Sequence, residues 1–285
     1  MRLGIHLYTF GSLRRAAQRA AEIGANTLQI FTASPRMWRA RAPDPVEVEA
    51  LQSIRRAHDI WPLVVHVNYL VNLASRDPLI RARSIETFRG ELERAAIVGA
   101  EFLVVHPGNC KDQPIDDAIS ACANGLTEAA RDFSAPVTVL LENTAGCGSA
   151  LGSKFEELRA ICDLAAPFTR VQIGYCLDTC HLLAAGFDIT TLAGLRKTIR
   201  QADKVLGLEN VPVFHANDSK TGLGSHVDRH AKIGKGHIGV EPFRWLLAHP
   251  KLRGKTFISE TPVEEDGDDA RNMATLRALA IASYS

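Results

Sequence analysis

One periodic feature constrains this chain more than any other. Short β-branched or aromatic runs recur, each followed by a polar or Gly/Pro stretch and then by a segment of helical apolar period. Eight such runs stand at 2–6, 27–32, 62–67, 101–106, 138–143, 171–178, 211–217 and 256–261. Strict alternation of this kind, with strands apolar on both faces, argues for a parallel sheet covered by helices. Eight units in 285 residues predict closure into a single α/β domain, a (β/α)8 TIM barrel spanning residues 1–285. A doubly wound open sheet would carry a glycine fingerprint after the first strand, and Leu7-Tyr8-Thr9-Phe10-Gly11-Ser12 has none. At 46% apolar and 23% charged residues, with no Ser/Gly linker, the chain can bury one substantial core.

Helix punctuation supports the alternation. Ser12 can cap a helix ending near Gly24, and Asp44-Pro45 and Asp77-Pro78 each place a capping carboxylate before a proline at the first helical position. The second of these helices runs to Gly99, Glu241-Pro242 opens another, and the acid-rich stretch 264–269 precedes the last. No stretch of about 18 apolar residues occurs, so the expected location is cytoplasmic, away from membranes. Six cysteines without a CxxC pair read as unpaired, buried thiols. A formal charge of +1 does not by itself advertise a polyanionic partner.

The chemistry lies at the strand ends. His6, His66, His106, Glu142, Asp178, His215 and Glu260 fall near the C-terminal ends of their runs, and from His66 onward they are mostly 36 to 40 residues apart. The second strand is the one without such a residue. In a barrel these ends converge on one mouth. Any one of them alone is more often a hydrogen-bonded structural group than a ligand. Several carboxylates and imidazoles sealed together, however, need compensating charge, and divalent cations are the usual source. Asp178-Thr179-Cys180-His181 adds an imidazole just past the sixth strand, and Asp228-Arg229-His230 places an acid and an imidazole two apart, on one side of an extended segment. The candidates are then five histidines (66, 106, 181, 215, 230) and four carboxylates (Glu142, Asp178, Asp228, Glu260), too many for one tetrahedral ion and enough for two or three. Nitrogen and oxygen donors without thiolate suit Zn2+ first, and Mn2+ or Fe2+ next. Such a cluster suits phosphate-ester hydrolysis. The glycine-rich 233–239 lacks a strand-to-helix context and reads as a turn-rich connection rather than a phosphate loop.

Six co-linear motifs then bring a family into view. They are His66-Val67-Asn68-Tyr69-Leu70-Val71-Asn72-Leu73-Ala74-Ser75, His106-Pro107-Gly108, Leu141-Glu142-Asn143-Thr144-Ala145-Gly146, Cys176-Leu177-Asp178-Thr179-Cys180-His181, His215-Ala216-Asn217-Asp218-Ser219-Lys220 with Asp228-Arg229-His230, and Glu260-Thr261-Pro262. With them the chain resembles the endonuclease IV family of zinc-dependent abasic-site DNA endonucleases. The resemblance implies three zinc ions: one held by His66, His106 and Glu142, a second by Glu142, Asp178, His215 and Glu260, and a third by His181, Asp228 and His230. It implies Glu142 as the bridging catalytic group and Glu260 as a ligand that can also orient water. It further implies incision 5′ to an abasic site in double-stranded DNA, leaving a 3′-hydroxyl, by a monomer. Tyr69 and Leu70 match the loop that enters the duplex, Arg36 matches a basic residue of the second loop, and Arg229 is placed to contact phosphate. Bound ions would also turn the mouth positive despite the +1 of the polypeptide.

Asn68 stands where the family usually has proline, Cys147 where glutamine usually follows Thr-Ala-Gly, and the first loop lacks the usual small residues. His6 is expected to support the site from behind, and His58 and His249 to be ordinary helix or loop residues. Two other readings compete: a sugar isomerase or epimerase on the same barrel with one or two Mn2+ or Mg2+ ions, and a noncatalytic damage-binding or metal-storing relative.

Overall fold

The computed structural model describes residues 1–9 and 11–282, so Phe10 of the first loop and the last three residues lie outside the described residues. The order of elements is β1 (Arg2–Leu7), α1 (Leu13–Glu22), β2 (Thr27–Ile30), α2 (Pro45–Ala57), β3 (Leu63–His66), α3 (Pro78–Ile97), β4 (Phe102–Val105), α4 (Ile115–Ala129), β5 (Thr138–Glu142) and α5 (Phe155–Ala165). There follow β6 (Ile173–Asp178), α6 (Thr179–Ala184), α7 (Leu192–Leu206), β7 (Val213–His215), β8 (Asp218–Ser219), β9 (His230–Ala231), α8 (Val240–Ala248), β10 (Thr256–Ser259) and α9 (Asp268–Ala282). Strands β1 to β7 and β10 form a closed barrel in which every neighbouring pair is parallel. The expected (β/α)8 architecture is therefore present, each barrel strand being one of the eight predicted runs.

Alternation along each strand explains both faces. Leu28, Leu63, Val65, Leu103, Val139, Leu141, Leu177 and Phe214 point outward into the main core beneath the helices, while Val64, Val104, Leu140, Cys176, Val213 and Ile258 form a separate buried cluster inside the barrel. Because side chains two apart share a face, the next inward position along β3 to β7 and β10 belongs to His66, His106, Glu142, Asp178, His215 and Glu260. An apolar layer thus supports a polar one directly above it.

The expected caps form. Ser12 accepts from Arg15 N, Asp44 from Val46 N, and Asp77 from Leu79 N and Ile80 N. Gly99 has φ +68, the left-handed conformation that ends α3 at little cost. Several predicted strand limits are trimmed. Thr32, His106, Asn143, Asn217, Glu260 and Thr261 lie beyond the ladder, and the runs at 171 and 211 begin two residues late, at Ile173 and Val213. Helix α8 begins at Val240, one residue before Glu241, because Gly239 at φ +81 takes the capping position. All six cysteines are free, but only Cys122, Cys176 and Cys180 are buried, while Cys147 is exposed. Among the described residues no helix is long and apolar enough to cross a membrane.

One pair of strands was not anticipated. Segments β8 and β9 pair antiparallel above the mouth, Asp218 opposite Ala231 and Ser219 opposite His230. Asp218 anchors this pair. Fully buried, its carboxylate accepts from the backbone N–H groups of Ser219 and Ile238 at 2.8 and 2.9 Å, and from those of Gly236 and Gly239 at 2.9 and 3.3 Å. The glycine-rich connection is therefore wrapped around a carboxylate of its own chain. Asp218→Ala strands four backbone donors, two of them buried, and each buried one costs about 1–3 kcal/mol when unsatisfied. Urea denaturation should show a loss of about 3 kcal/mol or more, and an unchanged midpoint would contradict this anchoring.

Candidate metal centre

The polar layer converges on Glu142, whose side chain is sealed from solvent. Its Oε2 lies 3.1 Å from His66 Nε2 and 2.9 Å from His106 Nε2. Its Oε1 lies 2.7 Å from His215 Nδ1 and 3.7 Å from His181 Nδ1. Burial alone would raise this carboxyl, yet the charges of His215 and His106 hold it well below the usual carboxylate range. Several strands and the first turn of α6 meet within one carboxylate's reach.

Donor atoms gather into overlapping groups. His66, His106 and Glu142 form one, and Glu142, Asp178, His215 and Glu260 another, with the ligand atoms of each group within 4.8 Å of one another. Asp178, His181 and His230 form a third within the same limit. Asp228 joins it through Oδ2, 3.1 Å from His181 Nε2, and Oδ1, 3.2 Å from His230 Nε2. The nine side chains expected at the mouth are thus brought together, with Asp178 also facing the third group at 3.7 Å from His230 Nε2. Sulfur atoms of Cys176 and Cys180 lie close enough to join such groups, but burial pushes the Cys176 thiol up to about 12 and raises Cys180 as well, which disfavours the thiolate that a metal would require.

The surroundings orient these donors. His66 Nδ1 meets the carbonyl of Val67 at 2.7 Å, His181 Nδ1 that of Asn143 at 2.8 Å, and His230 Nδ1 that of Glu260 at 3.2 Å. In each case the outer nitrogen donates to main chain and the inner one is turned into the mouth. Asp178 caps α6 by accepting from His181 N, which is why its partner lies one turn on. Asn217 Nδ2 donates to Asp178 Oδ2 at 2.6 Å and to Glu260 Oε2 at 3.2 Å, and Asn143 Oδ1 accepts from Asp178 N at 2.6 Å. His6 Nδ1 lies 2.8 Å from Glu260 Oε1, a supporting position. The inward Nε2 atoms of His181 and His230 are buried without a hydrogen-bond partner despite their closeness to Asp228. Imidazole lone pairs and carboxylates that face one gap without bonding each other fit a divalent cation better than they fit one another.

Sequence reasoning missed Gln29, Asn143, Asn217 and Asp218. The Glu-Asn, Asn-Asp and strand-end positions of the last three carried a signal, since a buried amide beside a ligand has to be bonded. The loop residues are placed differently. Tyr69 is 58% exposed and stands over His66, ring centroids 5.8 Å apart, at the rim of a cavity of about 480 Å3 that His66, His106, His181, Lys220, Asp228, Arg229 and Glu260 line. Leu70 lines the neighbouring hollow together with Cys147. Arg229 is exposed at the cavity edge, and Arg36 is exposed on the second loop, outside that lining. The second and third loops are nonetheless tied, Tyr69 N donating to Pro35 O at 3.2 Å.

The family model for xylose isomerase-like TIM barrels matches residues 17–280. The chain is 61% identical over 281 residues to a probable endonuclease 4 of Solibacter usitatus, covering 98% of this chain and 97% of that protein. A probable endonuclease 4 of Chloroflexus aurantiacus is 39% identical over 280 residues, covering 98% of each. Among solved structures, endonuclease IV from Thermus thermophilus superposes with a TM-score of 0.85 at 39% identity, covering 99% of this chain and all of that one. A D-tagatose 3-epimerase-like protein shares the fold at a TM-score of 0.72 and 21% identity. With near-complete coverage and identities well above those of the epimerase-like structure, the chain belongs to the endonuclease IV family of TIM-barrel endonucleases.

Proposed function

We propose that this protein is a DNA-repair endonuclease that hydrolyses the phosphodiester 5′ to an abasic site in duplex DNA, using three zinc ions, and leaves a 3′-hydroxyl. The observation that carries the reading is the gathering of nine histidine and carboxylate side chains, the buried Glu142 among them, at one mouth in a chain 61% identical to a probable endonuclease 4. His66, His106 and Glu142 would hold one ion, Glu142, Asp178, His215 and Glu260 a second, and His181, Asp228 and His230 a third. Mn2+ or Fe2+ at one position would suit the same donors. An epimerase would have no use for the third group. The proposed enzyme is a cytoplasmic monomer, a reading supported by one chain supplying every donor.

Bound divalent ions supply the positive charge that acidifies water and neutralises phosphate oxygens. The chain's own side chains do the rest. Glu260, its side chain 12% exposed where those of Glu142 and Asp178 are sealed, is the carboxylate of the second group that reaches the cavity and can orient the attacking water. Arg229 and Lys220 at the rim attract the phosphate backbone. Tyr69 and Leu70 enter the duplex where the base is missing, a nucleotide whose unstacking costs least, and Arg36 holds the strand from the second loop.

Three outcomes follow. Protein loaded with zinc should cut a duplex carrying one tetrahydrofuran abasic analogue on its 5′ side and should stop doing so after prolonged chelation; absence of any such cut with zinc present refutes the activity. Glu142→Gln should lower kcat about a thousandfold, equivalent to several kcal/mol of lost transition-state stabilisation, with circular dichroism unchanged. Retained turnover would deny it the bridging role. Metal uptake should also release protons. Burial pulls the imidazole of His230 down, but Asp178 and Asp228 raise it to about 9, and His181 and His215 are likewise held well above 6.5. These three imidazoles are thus held toward the protonated form in the metal-free site, whereas ligands must be neutral, so affinity for zinc rises with pH. Calorimetry in two buffers of different ionisation enthalpy should give different binding heats, and equal heats would contradict the assignment.

A further inference from the structure

Strand β2 contributes one side chain to the interior layer that binds no ion in the reading above and yet touches two of the ligands. Gln29 is fully buried. Its Oε1 lies 2.8 Å from His215 Nε2, and its Nε2 donates to Glu260 Oε1 at 2.6 Å. The same amide nitrogen is 2.9 Å from His6 Nδ1. We propose that Gln29 is a positioning residue that fixes the tautomer and ring orientation of His215 and clamps Glu260, so that the second ion meets donors already aimed at it. The proposal rests on the metal-centre reading.

The electrostatics allow one arrangement. A primary amide fits sterically either way round, but with its oxygen toward Glu260 two acceptors would meet at 2.6 Å. The carboxylate therefore selects the NH2 group, and the amide carbonyl is left facing His215. A carbonyl only accepts, so His215 Nε2 must carry a hydrogen. The other ring nitrogen, Nδ1, then faces Glu142 Oε1 at 2.7 Å, Glu260 Oε2 at 3.2 Å and Asp178 Oδ2 at 4.0 Å. In the metal-free protein a proton on that atom can meet the three carboxylates, and once it is given up the lone pair left among them is placed for a cation. The opposite tautomer would put a hydrogen inside the donor set.

His215 differs in this from its neighbours. The outer nitrogens of His66, His181 and His230 meet backbone carbonyls, which persist whatever side chains surround them. His215 has its Nδ1 inward and its Nε2 outward, and the partner of the outer nitrogen is a side chain, Gln29, on a strand that supplies no ligand. Methionine at position 29 would fill nearly the same space and leave the Nε2–H of His215 buried without an acceptor.

The test compares the wild type with Gln29→Met and Gln29→Glu, by long-range 15N–1H spectra of histidine-labelled protein during zinc titration and by zinc release to a chromophoric chelator. In the wild type, His215 should carry hydrogen on Nε2 and show the zinc-dependent shift on Nδ1. Gln29→Met should release one ion about 10- to 100-fold more readily than the others, with kcat reduced and KM for DNA little changed. Gln29→Glu keeps an acceptor for His215 and should retain the Nε2–H tautomer, but it sets a second carboxylate oxygen against Glu260 and should lose the clamp there. The proposal is overturned if wild-type His215 binds zinc through Nε2, or if Gln29→Met holds every ion as tightly as the wild type. Should Gln29→Met not fold, the wild-type spectra alone decide. Zinc bound by the wild type with no effect of either variant refutes the role of Gln29 and leaves the metal centre standing, whereas no zinc-dependent shift of any histidine in the wild type overturns both.

Discussion

Everything at the mouth of this barrel depends on one constraint: a carboxylate sealed from water must be neutralised where it stands. Glu142 has both oxygens within 3.1 Å of imidazole nitrogens, from His66, His106 and His215, and Asp178 and Glu260 stand beside it in the same layer. The desolvation of three carboxylates would cost several kcal/mol each if they were left alone. Imidazoles provide part of the compensation, and the donor groups are placed to take the rest from cations. The apolar layer of Val64, Val104, Leu140, Cys176, Val213 and Ile258 keeps the arrangement closed from below. Water can approach only from the mouth, which is also where a phosphate would dock.

Much of this was legible in the sequence because two periodicities coincide. Alternation along a strand and the βα repeat together dictate that His66, His106, Glu142, Asp178, His215 and Glu260, each near the end of an apolar run, face one another. His181 was readable for a different reason, since Asp178 caps the helix that carries it. Gln29 was not readable: an amide inside a four-residue buried strand looks like any other strand residue until the side chains across the barrel are known. The pairing of Asp218 and Ser219 with His230 and Ala231 was equally hidden, because two-residue strands have no periodicity, and the carboxylate that holds them bonds to backbone N–H groups 18 to 21 positions away. The strand limits erred where side chains of the site leave the ladder, as at His106 and Glu260.

The barrel itself is shared with sugar epimerase-like proteins and does not separate their chemistry from that of a nuclease. In this chain the β8–β9 pair brings His230, with Asp228 two residues before it, to His181. The departures from the usual family sequence have local explanations. Asn68, in the place of a proline, accepts from Leu70 N at 3.0 Å and so shapes the turn that presents Tyr69. Cys147 is exposed in the hollow beside His181 and Asp228 and is not one of the nine donors.

If three groups of side chains around Glu142 each hold a zinc ion, anomalous diffraction from crystals of the zinc-loaded protein, recorded on both sides of the zinc absorption edge, shows it most directly. Three edge-dependent peaks are expected, one among His66, His106 and Glu142, one among Glu142, Asp178, His215 and Glu260, and one among His181, Asp228 and His230. A map with no peak at these groups, or with a single ion elsewhere in the barrel, would contradict the account.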